Sequence, residues 1–264
     1  MEDRNALIRH IEELSMNAWP AHRTTLLDGW VLRFSDGYTR RANCVNPLYI
    51  GARRDSGDAS VDRCEALYAS VGQDVVFKMT DASPTGLDTL LEARGYSFEA
   101  ETSLQRCKLA GDDLSKQPAQ NFAIRLDSWP SDAWMEAFTT MASVDARNRS
   151  SLNRILAGIV VPDVAFAAAQ VEDEIIAVGL GVAERGYVGL FDIATAPSWR
   201  RRGAGTAIVR ALMAWGRSCG AESAYLQVMR NNLPASALYA WLGFSEEYRY
   251  WYRVRPPGAM SRMG

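Results

Sequence analysis

The spacing of apolar positions changes period several times along the chain, and each change marks a predicted element. Leu7, Ile8, Ile11 and Leu14 recur three and four apart, which predicts a helix from about Arg4 to Met16. Alternation takes over in GWVLRFS and GYTRRANCV, two predicted strands separated by Asp36-Gly37, a tight-hairpin signal. A helix from about Ser60 to Ser70, a strand DVVFKM and a helix from Leu87 to Arg94 closed by Gly95 follow. The polar, proline-bearing stretch AGDDLSKQPAQN then interrupts every pattern. These breaks predict an N-terminal α/β domain over 1–110, a linker over 111–121, a second domain over 122–256 and a flexible tail over 257–264.

The second domain opens with a strand from Phe122 to Leu126, then a helical pattern from Ser131, its capping residue, to about Ala157. The run from Val164 to Ala196 reads as three consecutive strands with turns at Glu172-Asp173 and Glu184-Arg185-Gly186. A helix over Ala204 to Cys219, a strand SAYLQVM, a short helix PASALYAWLG ended by Gly243, and an aromatic strand EEYRYWYRVR complete it. One echo links the halves. FKMTDASPTGLDTLLEARGY and QVMRNNLPASALYAWLGF share a strand ending near Met, a proline five residues on, a short apolar helix and a closing Gly-aromatic pair. If the echo reflects duplication, the chain is a tandem of two related domains; any strand-turn-helix unit would also produce it.

With 48% hydrophobic residues in 264, the chain has enough apolar surface for one large core or two ordinary ones. Its 29 basic and 31 acidic side chains supply no global positive field, so nucleic acid is not an expected partner. No apolar run approaches the roughly 18 residues of a membrane span, and the charged N-terminus has no signal-peptide core. A cytoplasmic protein, monomer or homodimer, is expected. Cys44, Cys64, Cys107 and Cys219 lie far apart without a C-x-x-C pair, which predicts free, mostly buried thiols and no metal. His10 and His22 form no H-E-x-x-H pair, and both a G-x-S-x-G elbow and a Walker motif are absent, which argues against a hydrolase triad and an ATP P-loop.

The chemistry concentrates in TAPSWRRRGAGTAIVRALMAWG, where three arginines run into a Gly-Ala-Gly turn and then into an apolar helix. A helix N-terminus leaves N–H groups unpaired and carries about half a positive charge, so glycines that admit close approach make it a cradle for a pyrophosphate. Backbone amides from Arg201 to Thr206 would form that cradle, and Arg200, Arg201 and Arg202 would add attraction for a charged nucleotide.

TAPSWRRRGAG followed by QVMRNNLPASALYAWLGF resembles the GNAT superfamily of acyl-CoA-dependent N-acetyltransferases, over roughly Phe122 to Arg255. Arg200, Gly203 and Gly205 occupy the fixed positions of that family's cofactor turn, and Asn232, Ala235, Leu238-Tyr239 and Gly243-Phe244 those of its later motif. The resemblance implies a mixed α/β fold with a central, largely antiparallel sheet flanked by helices, in which a strand splays from its neighbour beside the cofactor. It implies acetyl-CoA as cosubstrate, bound by Ile193, Ala194, Thr195, Arg200, Arg201, Arg202, Gly203, Ala204, Gly205, Thr206 and Asn232. Asn232 is equally readable as a helix cap. The acceptor would be a small-molecule amine or a peptide N-terminus. Tyr239 matches the family's proton donor to the leaving thiolate, and Asp192 and Glu184 are candidates for the base. The N-terminal half has no R-x-x-G-x-G equivalent, so a GNAT-like domain there would be degenerate, and acetyl-CoA is expected to bind the C-terminal half alone. The alternative is a non-catalytic acyl-CoA-binding module on the same fold.

Overall fold

The structure, a computed structural model, describes residues 4–49, 57–109 and 122–256; the expected linker 111–121 and tail 257–264 lie outside them. The chain divides into two compact units that are not contiguous halves. Unit 1 comprises Met1–Ser103, Ser150–Ile159 and Tyr248–Gly264, and unit 2 comprises Leu104–Arg149 and Val160–Glu247.

Unit 1 begins with α1 (Arg4–Ala18), whose Leu7, Ile8, Ile11 and Leu14 are buried as their spacing requires. β1 (Arg23–Leu27) and β2 (Trp30–Phe34) form an antiparallel hairpin, and β2 pairs with the short β3 (Val45–Asn46). The hairpin turn is Asp28-Gly29, both residues at positive φ, rather than the expected Asp36-Gly37. Asp36-Gly37 is also a positive-φ turn, but it opens a loop. The amide of buried Asn43 accepts from the N–H groups of Ser35 (2.6 Å) and Gly37 (3.0 Å) and donates to the carbonyls of Tyr38 and Thr39 (both 2.8 Å). With its backbone groups so satisfied, GYTRRA has no ladder to join and makes a 3-10 turn at Arg40–Ala42 instead.

After β3 come α2 (Gly57–Ser70), β4 (Val75–Thr80), α3 (Leu87–Ala93) and the long β5 (Ser97–Lys108). β3 and β4 are parallel, and the last strand of the chain, β11 (Ser245–Arg255), runs antiparallel to β4 from Tyr250↔Thr80 to Arg255↔Val75. Buried Glu12 accepts from Lys78 Nζ at 2.5 Å and from the Tyr248 hydroxyl at 2.8 Å, while Lys78 sits 4.0 Å from the Tyr250 ring centroid. Removing one member of such a buried pair typically costs about 3–5 kcal/mol.

Unit 2 contains β6 (Ala123–Asp127), α4 (Asp132–Met141), the start of α5 (Ala146–Ala157), β7 (Asp163–Val171), β8 (Glu174–Glu184), β9 (Tyr187–Thr195), α6 (Ala204–Ser218), β10 (Ser223–Met229) and α7 (Leu233–Trp241). Its strand order is β5-β10-β9-β8-β7-β6, with β9 and β10 parallel and the pairs from β6 to β9 antiparallel. The helical pattern from Ser131 divides in two at Ser143, which has positive φ; Ser131 caps α4 by accepting from Trp134 N–H at 3.1 Å. A Cβ on Gly179 or Gly181 of β8 would overlap Ile208 or Leu212 of α6, and one on Gly216 would lie 2.5 Å from Val188, so α6 rests directly on backbone. Leu180 and its register partner Phe166 point to the opposite face, where Trp134 of α4 meets the Phe166 ring edge-on at 5.1 Å.

The two units repeat one connectivity. In each, a parallel strand pair is joined through a helix (β3-α2-β4, β9-α6-β10), and a short helix then leads to a long strand (α3-β5, α7-β11). The echoing segments coincide with β4-α3 and β10-α7. The long strands are divided: Leu104 onward of β5 belongs to unit 2, where Cys107 and Leu109 pack in the core and Leu109 N–H donates to Glu222 at 2.8 Å. Tyr248 onward of β11 belongs to unit 1, where Tyr250, Tyr252 and Val254 cluster with Cys44 and Val76. Cys44 and Cys64 are buried, Cys107 is half-buried and Cys219 exposed, fewer buried thiols than expected. Among the described residues no helix is long and apolar enough to cross a membrane.

A chain truncated to begin at Gln120 therefore lacks a strand of unit 2 itself, leaving the β10 edge bare and its own β11 without β4. It is expected to show no cooperative thermal transition by circular dichroism, whereas the full chain melts cooperatively; a sharp melt of the fragment would refute this.

Candidate active site

The β9–β10 ladder stops part-way along both strands. Parallel pairing runs from Tyr187↔Ser223 to Leu190↔Leu226, although β9 continues to Thr195 and β10 to Met229. On its other side β9 stays paired, but its register with β8 slips between Leu180↔Phe191 and Val178↔Ala194, so that β9 carries one extra residue. Asp192 sits in this bulge with φ +52°, a left-handed conformation that costs a non-glycine residue about 1–2 kcal/mol.

The end of β9 beyond this ladder lines a cavity of about 840 Å³. Asp192, Ile193, Ala194 and Thr195 form its strand side; Arg200, Arg201, Gly203, Gly205 and Thr206 come from the turn and first turn of α6. Asn232, Pro234, Ala235, Leu238 and Tyr239 come from α7 and its cap, and Phe138, Met141 and Ala142 from α4. Arg201 and Gly203 both have positive φ, at +61° and +89°, which coils the chain tightly into the helix start. Nothing lies within 4 Å of a Cβ built on Gly203, so the backbone conformation, not space, requires glycine there. Gly205 answers to space: its Cβ would lie 3.1 Å from Thr195 Oγ1. The turn is tied back to the strand by Arg200 Nε, which donates to the Thr195 carbonyl at 3.4 Å.

Tyr239 is buried, its ring 6.0 Å from that of Phe244, and burial pushes its hydroxyl up to about 12. The group therefore keeps its proton throughout the neutral range. Asn232 caps α7, its Oδ1 accepting from Ala235 N–H at 3.3 Å.

Comparison with known proteins gives the family. A family model described as probable histone acetyltransferase Rv0428c C-terminal matches residues 5–253. The chain belongs to this family, within the GNAT superfamily. It is an N-acetyltransferase. An uncharacterized N-acetyltransferase of Bacillus subtilis, YobR, is 31% identical over 249 residues, spanning 94% of this chain and 98% of the relative. A GCN5-related N-acetyltransferase from Kribbella flavida shares the fold at a TM-score of 0.69 and 15% identity, over 96% of both chains. A tandem GNAT protein from the clavulanic acid biosynthesis pathway does so at 0.69 and 13%, over 94% of this chain and 88% of that one.

Of the positions singled out from sequence, this GNAT chain brings Asp192, Ile193, Ala194, Thr195, Arg200, Arg201, Gly203, Gly205, Thr206, Asn232 and Tyr239 to one cavity. Arg202 instead lies over the Trp199 ring at 5.3 Å, and the Ala204 side chain is buried in the core beneath the turn. Glu184 is at the far end of β8, beside Arg185 at 3.2 Å, and is not brought to the site. Phe138, Met141 and Ala142 were not foreseen individually, because their spacing on α4 is also that of ordinary core positions.

Gly203→Ala adds a methyl group that touches nothing, so any loss comes from the left-handed backbone. The variant is expected to be about 1–2 kcal/mol less stable by chemical denaturation. Wild-type stability would mean that the turn relaxes without cost.

Proposed function

We propose that the chain transfers an acetyl group from acetyl-CoA to an amine by direct attack within a ternary complex. The observation that carries this reading is the coincidence of an interrupted β9–β10 ladder with a glycine-turned helix start in one cavity. Both halves of that feature fit the cosubstrate. The first-turn amides of α6 lie beyond the reach of the helix's own ladder and suit a pyrophosphate, while the β9 edge past Leu190 suits the amide groups of a pantetheine arm. Arg200 and Arg201 add positive charge at the nucleotide end, and Asn232 contacts the arm. Arg202 and Ala204 contribute through the turn's backbone.

The acceptor, a small amine or a peptide N-terminus, arrives mostly as its ammonium, because alkylamines have a pKa of about 10. Asp192 takes that proton, directly or through one water. The freed nitrogen attacks the thioester carbonyl carbon; its oxygen gathers negative charge and accepts a hydrogen bond from a β9 backbone N–H near the bulge. As the intermediate collapses, the C–N bond is kept and the C–S bond breaks; Tyr239 gives its proton to the departing sulfur, and the second proton of the attacking nitrogen leaves through water and restores the phenol. Burial keeps the phenol protonated at neutral pH, so it has a proton to give. Binding of acetyl-CoA with amine-dependent release of coenzyme A tests the proposal; binding without release for any amine would leave a cofactor-binding module instead.

Two substitutions separate the roles. Tyr239→Phe removes only the hydroxyl, and turnover is expected to fall by about 10² to 10⁴ with little change in acetyl-CoA affinity or melting temperature. A drop below about threefold, with chemistry rate-limiting, would return Tyr239 to a packing role. Asp192→Asn keeps the shape and removes the proton acceptor. Its rate is expected to fall by about 10² or more at pH 7 and to recover as pH approaches the pKa of the amine, since more acceptor is then already neutral. A pH-independent loss would argue against Asp192 as the base.

A further inference from the structure

One wall of the cavity takes no part in the proposed cofactor contacts. Phe138, Met141 and Ala142 stand three and four positions apart, hence on one face of α4 and its C-terminal cap, and all three line the cavity. The same row begins with Trp134, whose ring stacks on Phe138 at 5.4 Å and meets Phe166 at 5.1 Å, so core packing fixes the position of the wall. The nearest acid on this helix, Glu136, is paired with Arg149 at 2.5 Å and is not in the lining. Among the described residues of the lining, Asp192 is the only carboxylate, and Arg200 and Arg201 are the only cations.

Building on the acetyl-transfer reading above, we infer that the acceptor is a monoamine with an apolar body. Its one ammonium meets Asp192, and its hydrocarbon or aromatic portion lies on Phe138, Met141 and Ala142. A second ammonium would shed water against a wall that has no carboxylate to receive it. An apolar body instead gains with each methylene it buries. Polyamines and lysine-rich segments are disfavoured for the same reason.

The test uses the full chain with saturating acetyl-CoA and measures initial rates of coenzyme A release. 2-Phenylethylamine and hexylamine are compared with spermidine and a lysine-rich peptide, and kcat/KM is expected to favour the apolar monoamines by about tenfold or more. Met141→Glu and, at an exposed position, Ala142→Glu each put a carboxylate on the wall. Either should narrow or reverse the preference while acetyl-CoA affinity stays unchanged. Equal or greater efficiency with spermidine or the peptide in the unaltered chain overturns the inference, as does a preference that neither folded variant moves. Absence of release with every amine, from a chain that still binds acetyl-CoA, overturns the acetyl-transfer reading itself.

Discussion

Buried backbone groups need hydrogen-bond partners, and unit 2 withholds them at one place in its sheet. The β9–β10 ladder ends at Leu190 and Leu226, and the extra residue at the Asp192 bulge turns the rest of β9 out of line with β10 while β8 still holds its other edge. A strand fixed on one side and open on the other offers amides and carbonyls at strand spacing to whatever enters the gap. The proposed chemistry, from cofactor seating to oxyanion stabilisation, depends on that interruption.

The surrounding packing keeps the gap from closing. α6 lies directly on the backbone of β8 at Gly179 and Gly181 and accepts Val188 against its own Gly216, so its N-terminus has little freedom to move along the sheet. Trp134 anchors α4 on the other face. Left-handed residues cluster here too, Asp192 in the bulge and Arg201 with Gly203 in the turn. Non-glycine residues in that region cost free energy and persist where the surrounding contacts over-determine them, a pattern often met at sites of function.

Unit 1 repeats the connectivity of unit 2 but fills its interior differently. The echo aligns Lys78 with Val228: unit 2 has a buried valine where unit 1 has a lysine held by Glu12, Tyr248 and the Tyr250 ring. An ion pair built from α1, β4 and β11 ties together segments more than 200 residues apart, since Glu12 and Tyr248 share a hydrogen bond. Its net contribution to stability is small, because removing two charges from water offsets most of their attraction, but losing one member would leave the other charge buried and uncompensated.

Features whose cause lies within a few residues were legible before the fold was known. Ser131 was readable as a helix cap, the Gly-Ala-Gly turn as the start of α6, and the fixed spacing of Arg200, Gly203, Gly205, Asn232 and Tyr239 pointed to one family. The sequence could not say which Asp-Gly pair would make the hairpin, because Asn43 decides it by binding backbone groups four to eight residues away. Asp192 and Glu184 were both candidates for the base; the slipped register of β9 with β8 sets Asp192 in the cavity, while Glu184 stays at the far end of β8. Nor could the sequence show that β5 and β11 each divide between the units. Capping, turn conformation and motif spacing are set by local backbone chemistry; strand register, the end of a ladder and the partner of an edge are set by segments distant in sequence, and only tertiary packing brings those together.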